Sequence, residues 1–152
     1  NQIDISTKSN SYPDKYAIEF AKNPEAFHPV LIRVRLLQDG GYYSKAKELL
    51  LNTTFTLRRD LLEKEYRLGR VYHFSGKPNL AKEHYKKSIL YSKDDDGWYY
   101  APNACLQLGY MYEGMENNLA QKYYTKALSY KSHPYKGGID DRAKQGLNRL
   151  KK

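Results

Sequence analysis

EYRLGRVYHFSGKPNLAKEHYKKSI, from Glu65 to Ile89, is echoed further along the chain by CLQLGYMYEGMENNLAQKYYTKAL, from Cys105 to Leu128. With Leu68-Gly69 set against Leu108-Gly109, Tyr72 falls on Tyr112, Ala81 on Ala120, Tyr85 on Tyr124 and Ser88 on Ala127. Each copy has helical periodicity on both sides of a turn, Ser75-Gly76-Lys77 in the first. A helical hairpin of this size cannot bury its apolar side alone and has to stack on a neighbour. The twin segments therefore predict an all-α stack of hairpins.

Outward from this pair the helical period recurs almost end to end, and no useful length alternates with the two-residue period of a strand. Asp14 to Lys22 reads as a short N-terminal helix, followed by one opening at Pro24 and running to about Gln38, with Phe27, Val30, Leu31, Val34 and Leu37 on its stripe. Asp39-Gly40-Gly41 ends it, and Ser44 to Asn52 returns as its partner. The next hairpin spans 57–91 and the third 100–131, separated by the polar run Ser92 to Gly97, which reads as an exposed loop. A second loop, Ser132 to Gly138, leads to a final helix whose narrow stripe (Ile139, Ala143, Leu147, Leu150) and charged outer face suit a capping helix. The expected layout is a single domain over 1–152: an N-terminal segment (1–23), a degenerate hairpin (24–53), two clear hairpins and a cap over 138–152. The chain starts at Asn1, which favours a piece of a longer protein.

The pattern Leu-Gly-x-x-Tyr, then Ala, then Tyr four later, then a small residue, resembles the tetratricopeptide repeat. In that pattern Gly69 and Gly109 let the two helices of a hairpin approach closely, while Tyr72, Tyr112, Tyr85 and Tyr124 fill the space between hairpins. The first hairpin is a worn copy: Ala46 precedes Ala81 by 35 residues, but Arg33 and Val34 stand where Leu68 and Gly69 would. The tail from His133 to Leu150 is also similar to the ends of bacterial multi-repeat proteins of no known activity and, more loosely, to eukaryotic inclusion-body clearance proteins.

The resemblance implies an α-α superhelix of about three hairpins with N- and C-terminal caps, and a concave groove, lined by the first helix of each hairpin, that binds a peptide or protein. Expected groove positions are Leu31 and Arg35, then Tyr66, Arg70 and His73, then Asn103, Leu106, Tyr110 and Glu113. Arg35, Arg70 and Tyr110 share one position in successive hairpins; arginine suits a carboxylate and tyrosine offers rigid contact area. Members of the family that clamp acidic chaperone tails use Lys and Asn where this chain has Tyr66, Arg70, Asn103 and Gln107, which argues against such a clamp.

Composition narrows the function classes. An apolar share of 40% and a charged share of 28% describe a folded domain, and no run reaches the length of a membrane span. Twenty-six Lys and Arg against 17 Asp and Glu leave a charge of +9, which favours acidic partners. A basic nucleic-acid-binding repeat is the alternative, but Lys82, Lys86, Lys122 and Lys126 read as a solvated face. Cys105, the only cysteine, excludes an intrachain disulfide and reads as a small buried hydrophobe. His73 and His84 flank a turn without a third ligand, and no histidine has a nucleophile nearby. Trp98-Tyr99-Tyr100 is expected to pack the start of the third hairpin. The chain is thus read as a non-enzymatic scaffold without cofactor. The cytoplasm is favoured over an exported protein that has lost its signal peptide.

Overall fold

A computed structural model describes residues 27–152. The helix expected over Asp14 to Lys22 and the start expected at Pro24 lie outside the described residues. Among the described residues there are seven α-helices and no strand: α1 (Pro29–Asp39), α2 (Tyr43–Asn52), α3 (Arg58–Phe74), α4 (Pro78–Tyr91), α5 (Tyr100–Tyr112), α6 (Asn117–Leu128) and α7 (Lys136–Leu150). They form three hairpins, α1/α2, α3/α4 and α5/α6, with α7 packed on α5 and α6 as a fourth layer.

Two helix starts differ from the sequence expectation, each for a local reason. α1 begins at Pro29 because His28 caps it, Nδ1 accepting from the Val30 amide at 3.1 Å, and proline suits the first helical position. Phe27 therefore precedes the helix, yet its ring is still buried in the core. α7 begins at Lys136, so Gly137-Gly138, expected in the loop, form its first turn. Lys136 pins this turn by an ion pair to Asp140 at 2.9 Å and by donating to the Tyr130 carbonyl at 2.7 Å.

The hairpins close around tyrosine rings seated on glycine. A Cβ at Gly69 would lie 2.4 Å from Tyr85 Cδ1, and one at Gly109 would lie 2.3 Å from Tyr124 Cε1. Gly146 of α7 approaches the same Tyr124 ring, with a would-be Cβ 2.4 Å from Cζ. Both tyrosines are fully buried, so neither ring can swing away. Their hydroxyls are satisfied at equivalent positions: Tyr85 Oη lies 3.1 Å from His73 Nδ1, and Tyr124 Oη donates to Glu113 Oε1 at 2.5 Å. Around them runs a core from Phe27 to Ala143, and a second cluster of Leu31, Val34, Ala46, Leu50, Phe55, Leu68 and Val71 holds the first hairpin.

The first helices of successive hairpins touch one another, α1 to α3, α3 to α5 and α5 to α7. The second helices pack on first helices, and no comparable contact joins α2 to α4 or α4 to α6. The stack therefore curves, with α1, α3 and α5 on its inner side.

The polar loop after α4 is more anchored than its composition suggested. Asp94 and Asp95 are exposed, but Asp96 accepts two bonds from Arg58 at 2.7 and 2.9 Å and one from the Lys93 amide at 2.8 Å. Arg58 also donates to the Tyr91 carbonyl at 2.8 Å, so one side chain ties the start of α3 to the end of α4 and the loop.

Two predictions follow from this packing. Gly69→Ala should destabilise the protein by about 1–3 kcal/mol in urea unfolding, the usual cost of overpacking. Gly137→Ala, where a Cβ meets nothing within 4 Å in a helical turn, should instead stabilise by roughly 0.5–1 kcal/mol; equal effects at the two sites would contradict the ring-on-glycine packing. Asp96 is buried, which raises its carboxyl, but its bonds to Arg58 and the Lys93 amide outweigh this and hold it below the ordinary carboxylate range. Its contribution is thus present above an unfolded aspartate's value of about 3.9 and lost as pH falls through the lower folded value. Asp96→Asn should cost about 1 kcal/mol at pH 7, with the difference from wild type shrinking to nothing in acid unfolding curves below that window.

Candidate functional site

On the inner side, between α1, α3 and the start of α5, lies a cleft of about 220 Å³ lined by Gln38, Asp39, Tyr43, Tyr66, Arg67, Arg70, Phe74 and Tyr99. Its walls are aromatic. Tyr43 stacks on Phe74 with centroids 5.3 Å apart, Arg70 lies 4.6 Å over the Phe74 ring, and Tyr99 meets Tyr66 edge-on at 6.0 Å. Its floor is charged. Arg67, 6% exposed, lies over the rings of Tyr66 and Tyr100 at 5.6 and 5.5 Å and donates from Nε to Glu63 Oε2 at 3.2 Å.

Glu63 has no exposed surface and also pairs with Arg59 at 3.3 Å. Burial pushes its carboxyl up, against the pull of Arg67, Arg59 and Arg35. Arg59 also pairs with Asp60 at 3.0 Å and Asp39 lines the cleft, so Glu63, Asp60 and Asp39 stand against Arg35, Arg59, Arg67 and Arg70, a surplus of one positive charge. The bond to Glu63 uses Arg67 Nε and leaves Arg67 Nη2 buried without a hydrogen-bond partner; Gln38 Oε1 is in the same condition. Gln38 itself is fixed by donating through Nε2 to the Arg67 carbonyl at 2.9 Å.

Of the positions expected to line a groove, the cleft gathers Tyr66 and Arg70. Asn103 stands behind them, donating to Tyr66 Oη at 2.8 Å and so orienting that ring. Arg35, half-buried, contributes through its charge on Glu63 rather than by lining the cleft. His73 faces inward: burial, and then the Arg70 charge, hold its imidazole below the ordinary range, and it serves Tyr85. Glu113 is likewise spent inside the fold, binding Arg149 at 2.7 and 3.0 Å as well as Tyr124; these bonds hold its carboxyl low and fasten α7 to α5. Tyr110 is 39% exposed and rests edge-on against Tyr124, a hairpin away from the cleft.

Leu31 and Leu106 are corrections. Both were expected on the groove, and both are core residues, 0% and 1% exposed, because neighbouring first helices pack directly on one another and consume that face. His73 and His84 are also kept apart by their partners, His84 lying 2.6 Å from Glu65 Oε1 and stacking on Tyr72. Of the run Trp98-Tyr99-Tyr100, Tyr100 is buried in the core and Trp98 packs against it from the loop, as expected, while Tyr99 reaches the cleft.

Arg67 and Gln38 escape the sequence reading. Their signal is faint: Glu63 and Arg67 form an i,i+4 pair on a helix whose neighbouring positions, Leu62, Tyr66 and Leu68, are apolar. Charges on such a face are buried together or not at all.

Residues 66–95, which cover the second half of α3, all of α4 and the start of the acidic loop, match the family model of the tetratricopeptide repeat. No curated protein and no solved structure matches the chain. The matched hairpin, its copy in α5/α6 with the same glycine-seated tyrosine, and the stacking of first helix on first helix agree with one another. Repeats of this kind generally mediate protein–protein interaction and are typically non-catalytic. The chain thus carries a tetratricopeptide repeat at residues 66–95, within an all-α stack of hairpins.

Proposed function

We propose that the protein is a non-catalytic scaffold that holds an acidic segment of a partner protein in the inner cleft, a carboxylate seated between Arg67 and Arg70. The observation that carries this reading is Arg67 Nη2, a buried guanidinium donor with no hydrogen-bond partner in a cleft that opens to solvent. A buried donor left unpaired is costly, and a charge-assisted bond to a carboxylate recovers that cost.

Size and shape agree. Ligand pockets for drug-sized molecules usually run from about 300 to 1,000 Å³, so a cleft of about 220 Å³ fits one side chain or a chain terminus. Tyr66, Tyr99, Tyr43 and Phe74 supply rigid walls that lose little entropy on binding. Asn103 acts by positioning Tyr66, and Arg35 adds positive charge behind Glu63.

The test uses a fluorescent short peptide ending in Asp-Glu with a free terminal carboxylate, against an amidated analogue with Asn and Gln in their place. The acidic peptide should bind and the neutral one should not. Arg70→Gln should weaken binding at least about tenfold, and so should Glu63→Gln with Arg67→Met, which removes the buried pair together and avoids stranding Glu63. Equal binding of the two peptides, or undiminished binding by both variants with unchanged circular dichroism, would overturn the reading.

A further inference from the structure

The outer side carries a second surface, different in kind from the inner cleft. Because α4 and α6 do not close on each other, a trough runs between them, made of two adjoining hollows of about 620 and 440 Å³ that share Lys86 and Leu90. Its floor is apolar, formed by Ile89 and the Tyr123 ring, and Leu90 projects from its edge, 83% exposed. Its walls are rows of lysine. Lys82 and Lys86 stand one turn apart on α4, Lys122 and Lys126 one turn apart on α6.

These lysines are held rather than loose. Lys82 and Lys86 lie 4.9 and 5.3 Å from the Tyr112 ring centre, Lys122 lies 5.3 Å from that of Tyr123, and Lys126 5.4 Å from that of Tyr130. Tyr112 and Tyr123 in turn stack on each other at 5.8 Å. None of the four lysines forms an ion pair among the described residues. The acids lining the trough, Glu83 and Glu116, sit only in its smaller hollow. Like charges at i,i+4 work against each helix and are offset only in part by the ring contacts. It is not the evenly solvated face that the spacing alone suggested.

We propose that this outer trough docks an acidic amphipathic helix of a partner protein. The apolar stripe of that helix covers Ile89, Leu90 and Tyr123. Its carboxylates, one turn apart on either side of the stripe, meet the lysine rows, which repeat at the same helical pitch of about 5.4 Å. Lysines already resting on ring faces lose little side-chain freedom when they engage. A nucleic acid fits less well, because the Tyr112 and Tyr123 faces that bases would stack on are taken by each other and by lysine. A flat membrane surface fits less well because Ile89 and the Tyr123 ring, the latter only 8% exposed, lie down in the hollow between the two helices.

Fluorescence anisotropy tests this with a labelled model peptide of about five helical turns, a leucine stripe flanked by glutamates at i,i+4 spacing. The comparisons are a scrambled peptide of equal composition, a lysine-for-glutamate version, single-stranded oligothymidine, and vesicles of phosphatidylcholine with phosphatidylserine. The acidic amphipathic peptide should bind most tightly and gain helicity on binding. Lys86→Glu with Lys122→Glu should weaken it at least about tenfold, Leu90→Glu should do likewise, and Arg70→Gln should leave it unchanged. Binding no tighter than the scrambled peptide would sink the proposal. So would indifference to the lysine and leucine variants, or tighter binding of the oligonucleotide or the vesicles. All three substituted side chains reach the surface, and unchanged circular dichroism separates lost docking from lost folding. Loss on Arg70→Gln instead would place the peptide in the inner cleft and overturn the outer site alone.

Discussion

The rings of Tyr85 and Tyr124 lie where a methyl group on the facing helix would have to be, and this contact sets the spacing of the hairpins they close. Removing the Cβ from Gly69 and Gly109 brings the helix backbone onto the ring face, so each hairpin gains the burial of a whole aromatic side chain without paying its usual separation. The phenol then needs a polar partner in a buried place, and the residue four after the glycine provides it, His73 in one hairpin and Glu113 in the other. Around Tyr124 the device is extended to the cap: Gly146 presses on the same ring while Arg149 closes on Glu113. The C-terminal helix is thus docked through the logic that builds the repeats.

A second constraint shapes the surfaces. With first helices packed side by side, the apolar positions between them become core, and what remains on the inner side is the polar and aromatic remainder around Arg67 and Arg70. Glu63 neutralises part of the buried charge of Arg67 and fixes its direction through Nε, so the cleft has a shaped guanidinium rather than a mobile one. Buried pairs of this kind add little stability and much geometry. On the outer side the reverse holds: second helices without a comparable packing contact leave an apolar floor and aligned lysines.

The hairpins were legible in the sequence because Leu68-Gly69 and Leu108-Gly109, with their tyrosines, can serve only one packing, and glycine at those positions has a steric reason. Helix starts were less so, since the cap at His28 and the ion pair of Lys136 are properties of single side chains that no period reveals. At the candidate site, Tyr66 and Arg70 were readable from their place on the helix. Leu106 was misjudged because the register gives the direction of a side chain but not how closely the next helix approaches. Arg67 was hidden by being charged on a buried face, and the order in the acidic loop by a partner, Arg58, 38 residues away.

The unequal contacts of inner and outer helices also determine how the column can bend. A stack in continuous contact along one edge and open along the other rotates about the closed edge, as a book turns on its spine. Rotations between the α3/α4 and α5/α6 hairpins, which pack through α3 on α5 and α4 on α5, therefore change the gap between α4 and α6 more than they change the packed contacts. The outer trough is thus the part of the stack whose width is most sensitive to how one hairpin sits on the next.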